Sequence, residues 1–353
     1  MKKSIFHSTI AVVSVLGALL LVTAFSGCKK NDGKTLYFYN WTYYTPDSVI
    51  EKFEQEFGVK VVLDFYSTNE DMYAKLKAGG SGYDIVVPSQ DYVAIMIEEG
   101  MLQKIDHSQF PNSQYVSDLV LEKATYDPMM EYSVPYFMGA AGIAVNKTRV
   151  SDYEHSWDIF ARTDLKGRMA MLDDMREVTG DALAYLGYSV NSLDDVQLEE
   201  AKNLIINQWK PNLVKFDAEG IGKSFSSGEF WVVQGYAEQV FEELDESKWG
   251  DVDFFIPQDE GGPMYIDSLC ILKKAKNYDL AMEFINFIHR PEIYAEFVDY
   301  FRFPPTANSA AAGYMKTIPH YSAENLVNCE IKEDLGVGLD KYNRIWQDIR
   351  FTQ

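Results

Sequence analysis

Residues 35–66 read TLYFYNWTYYTPDSVIEKFEQEFGVKVVLDFY, and their pattern decides the fold class. TLYFYN is rich in aromatic residues and reads as a strand. Thr45 then stands in N-cap position with Pro46 in the first helical turn. Val49, Ile50, Phe53 and Phe57 follow at helical spacing, and Gly58 stops the helix. VKVVLDFY, residues 59–66, is the second strand. The alternation continues: Asn69 opens a helix carrying Met72, Tyr73 and Leu76, which ends in GGSG. The unbroken apolar run YDIVVPS, residues 83–89, has the character of a parallel strand covered on both faces, and a helix spans about 91–99. A β-α-β-α-β-α run predicts an α/β sheet.

A second block begins near FMGAAGIAVN (137–146), an extended apolar run whose glycines suit a passage between lobes. RMAML (168–172), a helix opened by Ser192, and VDFFIP (252–257) supply its own strands and helix. MYIDSLCIL (264–272) reads as a strand, followed by the helical runs AMEFINFIH and EIYAEFVDYF. Two α/β lobes are the expected architecture. Ligands of open α/β sheets bind outside the carboxyl ends of the strands. The aromatic turn after the first strand, Ser89 after the third, and Asp173 and Asp174 after RMAML therefore become candidates for one shared cleft.

The chain has 353 residues, 47% of them hydrophobic and 24% charged, with a formal charge of -21. That suits a folded protein of one or two domains. The acidic balance argues against nucleic acid, whose phosphates it would repel, and favours cationic partners. MKKSIFHSTIAVVSVLGALLLVTAFSGC has two lysines, an apolar stretch and small residues before Cys28. That is a secretory signal over residues 1–27, with an uncleaved membrane anchor as the alternative. Either reading places the folded part outside the cytoplasm, and KKNDGK is a short tether. Cys270 and Cys329 are the other cysteines, and spacing does not say whether they pair.

FYNWTYYTP, residues 38–46, holds five aromatic side chains. Phe38 and Tyr39 lie inside the strand and belong to core or sheet face. Trp41, Tyr43 and Tyr44 lie past it, where ring faces could attract ammonium groups. In LDDMREV an aspartate can cap a helix, or Asp174 and Glu177 can project together as paired carboxylates. In MYIDSL, Asp267 follows Tyr265 by two residues on one strand face, and an acid there needs a partner. The five histidines form no HExxH pair, and there is no G-x-S-x-G.

LYFYNWTYYTPDSVIEKFEQEFGVKV, NEDMYAKLKAGGSGYDIVVPS, EEGMLQKID, DDMREV and MYIDSL together resemble the bacterial spermidine/putrescine-binding proteins of ABC importers, in order from Thr35 to Gly336. The resemblance implies a two-lobed, type II-like periplasmic-binding-protein fold with a hinge and an interlobe cleft. One lobe would be residues 33–138 plus 266–330, the other 139–265 plus 331–353. It implies no enzyme activity, cofactor or metal, a monomer, a membrane permease as partner, and lipidation of Cys28, because FSGC is similar to a lipoprotein signal. Trp41 and Tyr44 match aromatic ligand contacts, Ser89 a polar one, and Asp174, Glu177 and Asp267 amine-binding acids. Tyr236 and Tyr265 fall where the spermidine binders have tryptophans, and Phe303 where they have a tyrosine. Tyr43 replaces an acid, Asp91 replaces an aromatic, and Lys332 aligns with an amide-bearing contact. These departures leave putrescine as open as spermidine.

Other readings remain open at this level: a binding protein for another small cation, a sugar or a peptide, a secreted carboxylate-dependent hydrolase built on Asp174 and Glu177, or a surface interaction lipoprotein.

Overall fold

The structure, a computed structural model, describes residues 34–42, 44–80 and 82–352. The signal region, Cys28 and Tyr43 lie outside them, and so do the expectations that fall on them.

Strand β1 (Thr35–Trp41) pairs in parallel with β2 (Lys60–Tyr66), from Thr35 opposite Lys60 to Trp41 opposite Tyr66. The helix Asp47–Phe57 carries the chain between them. It packs Val49, Ile50 and Phe53 into the core, with the Phe53 ring 5.0 Å from Phe284 and 5.3 Å from Phe287. Such pairs add about 0.5–1.5 kcal/mol each beyond burial. Gly58 ends this helix at φ 64, a left-handed turn that glycine adopts without a Cβ clash, and its N–H bonds to the Glu54 carbonyl. The helix starts later than the sequence suggests, at Asp47 with Pro46 in cap position. The Thr45 hydroxyl does not cap it, because it is spent on the Asn40 amide (2.8 Å) and the Tyr136 hydroxyl (2.9 Å).

Strand β3 is short, Ile85–Val86, and joins the free edge of β1 in parallel. Strand β4 (Ser133–Ala140), buried throughout, runs through Ala141 into β5 (Gly142–Asn146). The glycine-bearing apolar run thus leaves one sheet and enters another. The second sheet contains β5, β6 (Met169–Met171), β7 (Leu213–Phe216), β8 (Val232–Gly235) and β9 (Val252–Phe255), in the order β7-β6-β8-β5-β9. A helix Asp195–Leu204 on this lobe is capped by Asp194, whose carboxylate accepts from Val196 and Gln197. Ser192, the expected cap, instead bonds Gln197 through its hydroxyl.

The chain then returns as β10 (Pro263–Ile271) and later β11 (Glu330–Ile331), giving the first sheet the order β11-β10-β3-β1-β2, with β4 on the other edge of β10. β10 is antiparallel to β3 and β4. The sheet is therefore mixed, and β3 is not the all-parallel strand its composition suggests. The fold is α/β with two sheets, each the centre of one lobe. The chain passes between them at Ala141, across residues 256–262, and after β11, where it ends in the helix Leu339–Phe351. At one of these crossings the helix Met175–Tyr185 lies close against β10: a Cβ on Gly180 would sit 2.3 Å from Pro263 Cγ. Only a residue without a side chain permits that approach. Cys270 and Cys329 are both buried and free.

Candidate functional site

A cleft of about 890 Å³ opens between the two sheets, and the strand tips end on it. Trp41 is the last residue of β1, not past it as expected, and Tyr44 follows; Ser89 and Asp91 follow β3, Asp173 and Asp174 follow β6, and Tyr236 follows β8. Tyr265 and Asp267 reach it from the middle of β10, with Phe303 behind them and Lys332 beside them.

Asp267 owes its position to a gap in the pairing of β10. One edge of this strand is covered by β3 only at Cys270 and Ile271, and by β11 only at Pro263 and Met264. Between these, no strand covers the edge, and the turn after β3 fills in. The Ser268 N–H bonds to the Pro88 carbonyl (3.0 Å), and the Ile266 N–H to the Gln90 side chain (2.9 Å). That places Ser89 opposite Asp267. Ser89 Oγ donates to one carboxylate oxygen at 2.6 Å, and the Tyr44 hydroxyl donates to the other at 2.8 Å. Asn69 in turn donates to Ser89 Oγ at 3.0 Å. Asp267 is only 5% exposed. Burial pushes its pKa up to about 6, against the pull of the two hydroxyl donors and the positive charge of Lys332. Two neutral donors make it an anion still short of a counter-charge.

The rings around it are fixed from behind. The Trp41 indole N–H bonds to the Val87 carbonyl at 2.9 Å, and its ring lies 4.7 Å from Tyr66. Tyr44 meets Tyr136 edge-on at 5.5 Å, and Tyr236 meets Tyr265 edge-on at 5.8 Å. Phe303 is 1% exposed and stacked on Phe137 at 4.2 Å, so it backs the wall rather than forming its face.

The acids of the second lobe divide their work in a way the sequence does not show. Asp174 caps the helix Met175–Tyr185, one oxygen accepting from Arg176 N (2.8 Å) and Glu177 N (3.0 Å), and it also lines the cleft. The capping reading holds, and the paired projection with Glu177 does not. Glu177 does not project beside it. It turns into the interior, accepts the Tyr236 hydroxyl at 3.0 Å, and forms an ion pair with Lys332. The side chains of Lys332 and Glu177 are 16% and 1% exposed. Burial raises the Glu177 pKa, with Lys332 opposing. Burial works to lower that of Lys332, but the carboxylates of Glu177, Asp174 and Asp91 outweigh it and hold the ammonium above its usual range. One turn deeper, Asp181 accepts from Gln234 at 2.5 Å, and burial raises its pKa well above the usual carboxylate range, with the charge of Glu177 adding to it.

Asp91 lines the cleft with one oxygen buried and without a hydrogen-bond partner. Burial raises its pKa, with Lys332 pulling the other way. Glu238 went unnoticed in the sequence. It sits in the first turn after Tyr236, faces the cleft, and has its pKa pushed up to about 7 by burial, with Glu242 and Asp267 adding to it. The signal was available in GYAEQ: an acid two residues past a candidate ring, at the start of a helix. Asn69 and Gln90 were likewise missed, since their work is to hold Ser89 and β10 in place.

The arrangement suits an elongated cation. Ring faces can pack against methylenes, and Asp267, Asp91 and Glu238 can accept ammonium protons. Among the described residues no group of His, Cys, Asp and Glu is arranged to hold a metal ion.

Comparison with known proteins agrees in kind. A family model described as bacterial extracellular solute-binding protein matches residues 48–323. The spermidine/putrescine-binding periplasmic protein of Escherichia coli K12 is 36% identical over 348 residues, covering 95% of this chain and 97% of that protein. A putrescine/cadaverine-binding protein of Pseudomonas aeruginosa is 33% identical, over 76% of this chain and 79% of its own. The crystal structure of the TpPotD lipoprotein of Treponema pallidum superimposes with a TM-score of 0.87 at 53% identity, covering 90% of this chain and all of that one. A family match over residues 48–323 and identity along nearly the whole length lead to one conclusion: this chain belongs to the bacterial extracellular solute-binding proteins.

Proposed function

We propose that this chain binds a linear polyamine outside the cytoplasm, putrescine or spermidine, and delivers it to the permease of an ABC importer. The observation that carries the reading is Asp267: a carboxylate 5% exposed, held by two hydroxyls and, among the described residues, in no ion pair, lining a ring-walled cleft. Leaving an anion so desolvated is costly unless a counter-ion arrives. The names of the relatives support the same ligand class. Trp41, Tyr44, Tyr236 and Tyr265 would flank the alkyl chain, with Phe303 behind, while Asp267 with Ser89, Asp91, Glu238 and Asp174 would take the ammonium ends. Glu177 acts through Lys332 and Tyr236. The two lobes would close about the crossings at Ala141, across residues 256–262 and after β11 as a hinge, stabilised by contacts to both. Lipidation of Cys28 would tether the protein, as the lipoprotein name of the Treponema neighbour suggests.

Calorimetry with putrescine, cadaverine, spermidine and spermine tests the reading. Micromolar or tighter binding of at least one is expected. Heat from none of them, or stabilisation by sugars alone, would sink it.

A pH series gives an independent check. Asp267 must be ionised to hold an ammonium, and with a pKa of about 6 it is protonated at pH 5 and ionised at pH 7.5. Linkage then predicts that affinity falls at least about tenfold between pH 7.5 and pH 5, with Glu238, whose pKa is about 7, deepening the fall. An affinity that is flat over this window would remove Asp267 from the site.

A further inference from the structure

We infer that Lys332 is a tethered ammonium that fills one cation position of the cleft, so that the protein accepts a ligand with two positive charges in preference to one with three. The inference rests on the polyamine reading above and concerns which member of the class fits.

The lysine cannot step aside. Its N–H bonds to the Met264 carbonyl (3.1 Å) and its own carbonyl accepts from Gln90 (2.7 Å), which pins the backbone on both sides. The next residue is strapped to the second lobe: Arg176 donates to the Glu333 carbonyl (3.0 Å), and the Glu333 N–H bonds to Asn191 (2.9 Å). From this anchor the largely buried side chain, 16% exposed, places its ammonium on Glu177. A lysine ammonium and the primary ammonium of an alkylamine are the same chemical group. Glu177 is therefore already answered from within, and the field of Asp174 and Asp91 is partly spent on the same charge.

What remains for a ligand is Asp267, the unpartnered oxygen of Asp91, Glu238, and Asp174, whose charge is shared with Lys332 and with the helix it caps. These serve the ends of a diamine. A third ammonium extended towards Glu177 would meet a fixed positive charge in a poorly hydrated site, where like charges repel strongly. Removing the lysine charge should vacate Glu177 for that third group, because a carboxylate left buried and alone gains most from a new partner.

Calorimetry on the full chain with putrescine and spermidine tests this in the wild type, in Lys332→Gln, and in the double variant Lys332→Gln with Glu177→Gln. The wild type is expected to bind putrescine at least tenfold more tightly than spermidine. Lys332→Gln should shift that ratio at least tenfold towards spermidine. The double variant, which has neither the cation nor the vacancy, should return to within about threefold of the wild-type ratio, a result that a general loosening of the cleft would not produce. Spermidine binding as tightly as putrescine in the wild type would overturn the inference even if the variants failed to fold. So would an unchanged ratio in Lys332→Gln, or an equal gain in the double variant. Binding of neither amine by the wild type would instead overturn the polyamine reading itself, and this inference with it.

Discussion

Asp267→Asn is expected to weaken polyamine binding at least about 100-fold while leaving the ligand-free protein as stable as before, or more so. The two effects have one origin. Burial lifts this carboxyl in the folded protein to a pKa of about 6, against 3.8 for an ordinary aspartate. A carboxyl raised in this way contributes most to stability below pH 4, where it is protonated in both states, and that contribution is lost as pH rises through 6. At pH 7.5 the ionised side chain costs the folded state about 3 kcal/mol by linkage. An amide of the same size removes that cost and can still accept from Ser89 or Tyr44. It cannot neutralise an ammonium. Losing the charged partner of a desolvated pair costs about 2–5 kcal/mol, and 100-fold corresponds to about 2.7 kcal/mol. Thermal melts with and without putrescine read both halves. The variant should melt at or above the wild-type temperature without ligand, and the shift on adding ligand should vanish. A variant that binds within threefold of the wild type would show that the cation sits elsewhere. One that binds poorly but also melts several degrees lower would show that Asp267 is part of the framework.

How much of this could be read before the structure depends on the range of the interactions. The β-α-β run from Thr35 to Tyr66 is legible because each signal is local: ring and β-branched residues for the strands, apolar spacing for the helix, Gly58 for its end. The passage through Ala141 is legible for the same reason, as two apolar strands with small residues between them. The place of β10 is not. Its partners lie at residues 85–86, 133–140 and 330–331, and no local pattern specifies pairings across such distances. Caps fail by small margins because several polar residues compete for one turn. Thr45 was drawn off by Asn40 and Tyr136, and Asp194 took the place expected for Ser192.

The site shows the same division. A rule about strand ends places Trp41, Ser89 and Asp174, and they do line one cleft, as does Tyr236, which the family resemblance supplied. The rule says nothing about which way a helical side chain turns. Glu177 and Asp174, three residues apart, differ completely: one is in the core on a lysine, the other at the surface capping the helix. The partner that draws Glu177 inward, Lys332, is 155 residues away. The resemblance to a family marked that position but could not supply the pairing, which is where this chain departs from the pattern.

Asp84→Ala is expected to lower the unfolding free energy by about 3–5 kcal/mol while the folded fraction keeps its affinity within about threefold. Asp84 is 1% exposed and precedes β3. One of its oxygens accepts from Tyr37 N (3.0 Å) and the Asn277 amide (3.1 Å), the other from Lys276 N and Asn277 N, both at 3.0 Å. It therefore ties β1 to the start of the helix Tyr278–Ile288, where an anion is also favoured by the helix dipole. Alanine would leave three backbone N–H groups at a partly buried site without their acceptor, each worth up to about 1–3 kcal/mol when unmet, with relaxation and water recovering part. Against a total of about 5–15 kcal/mol for an ordinary domain, the loss is large. The effect on binding should be small because Asp84 and Ser89 stand at opposite ends of the short β3 segment, roughly 16 Å apart at strand rise. The strand itself stays clamped by the Tyr37 carbonyl, which accepts from the Asp84 backbone, and by Leu272, which donates to it. Urea unfolding of the ligand-free protein, with calorimetry below the transition, separates the two quantities. A stability loss under 1 kcal/mol would mean that the stranded amides find other acceptors. Lost affinity in a fully folded variant would mean that the far end of the sheet, and not only its tips, sets the geometry of the cleft.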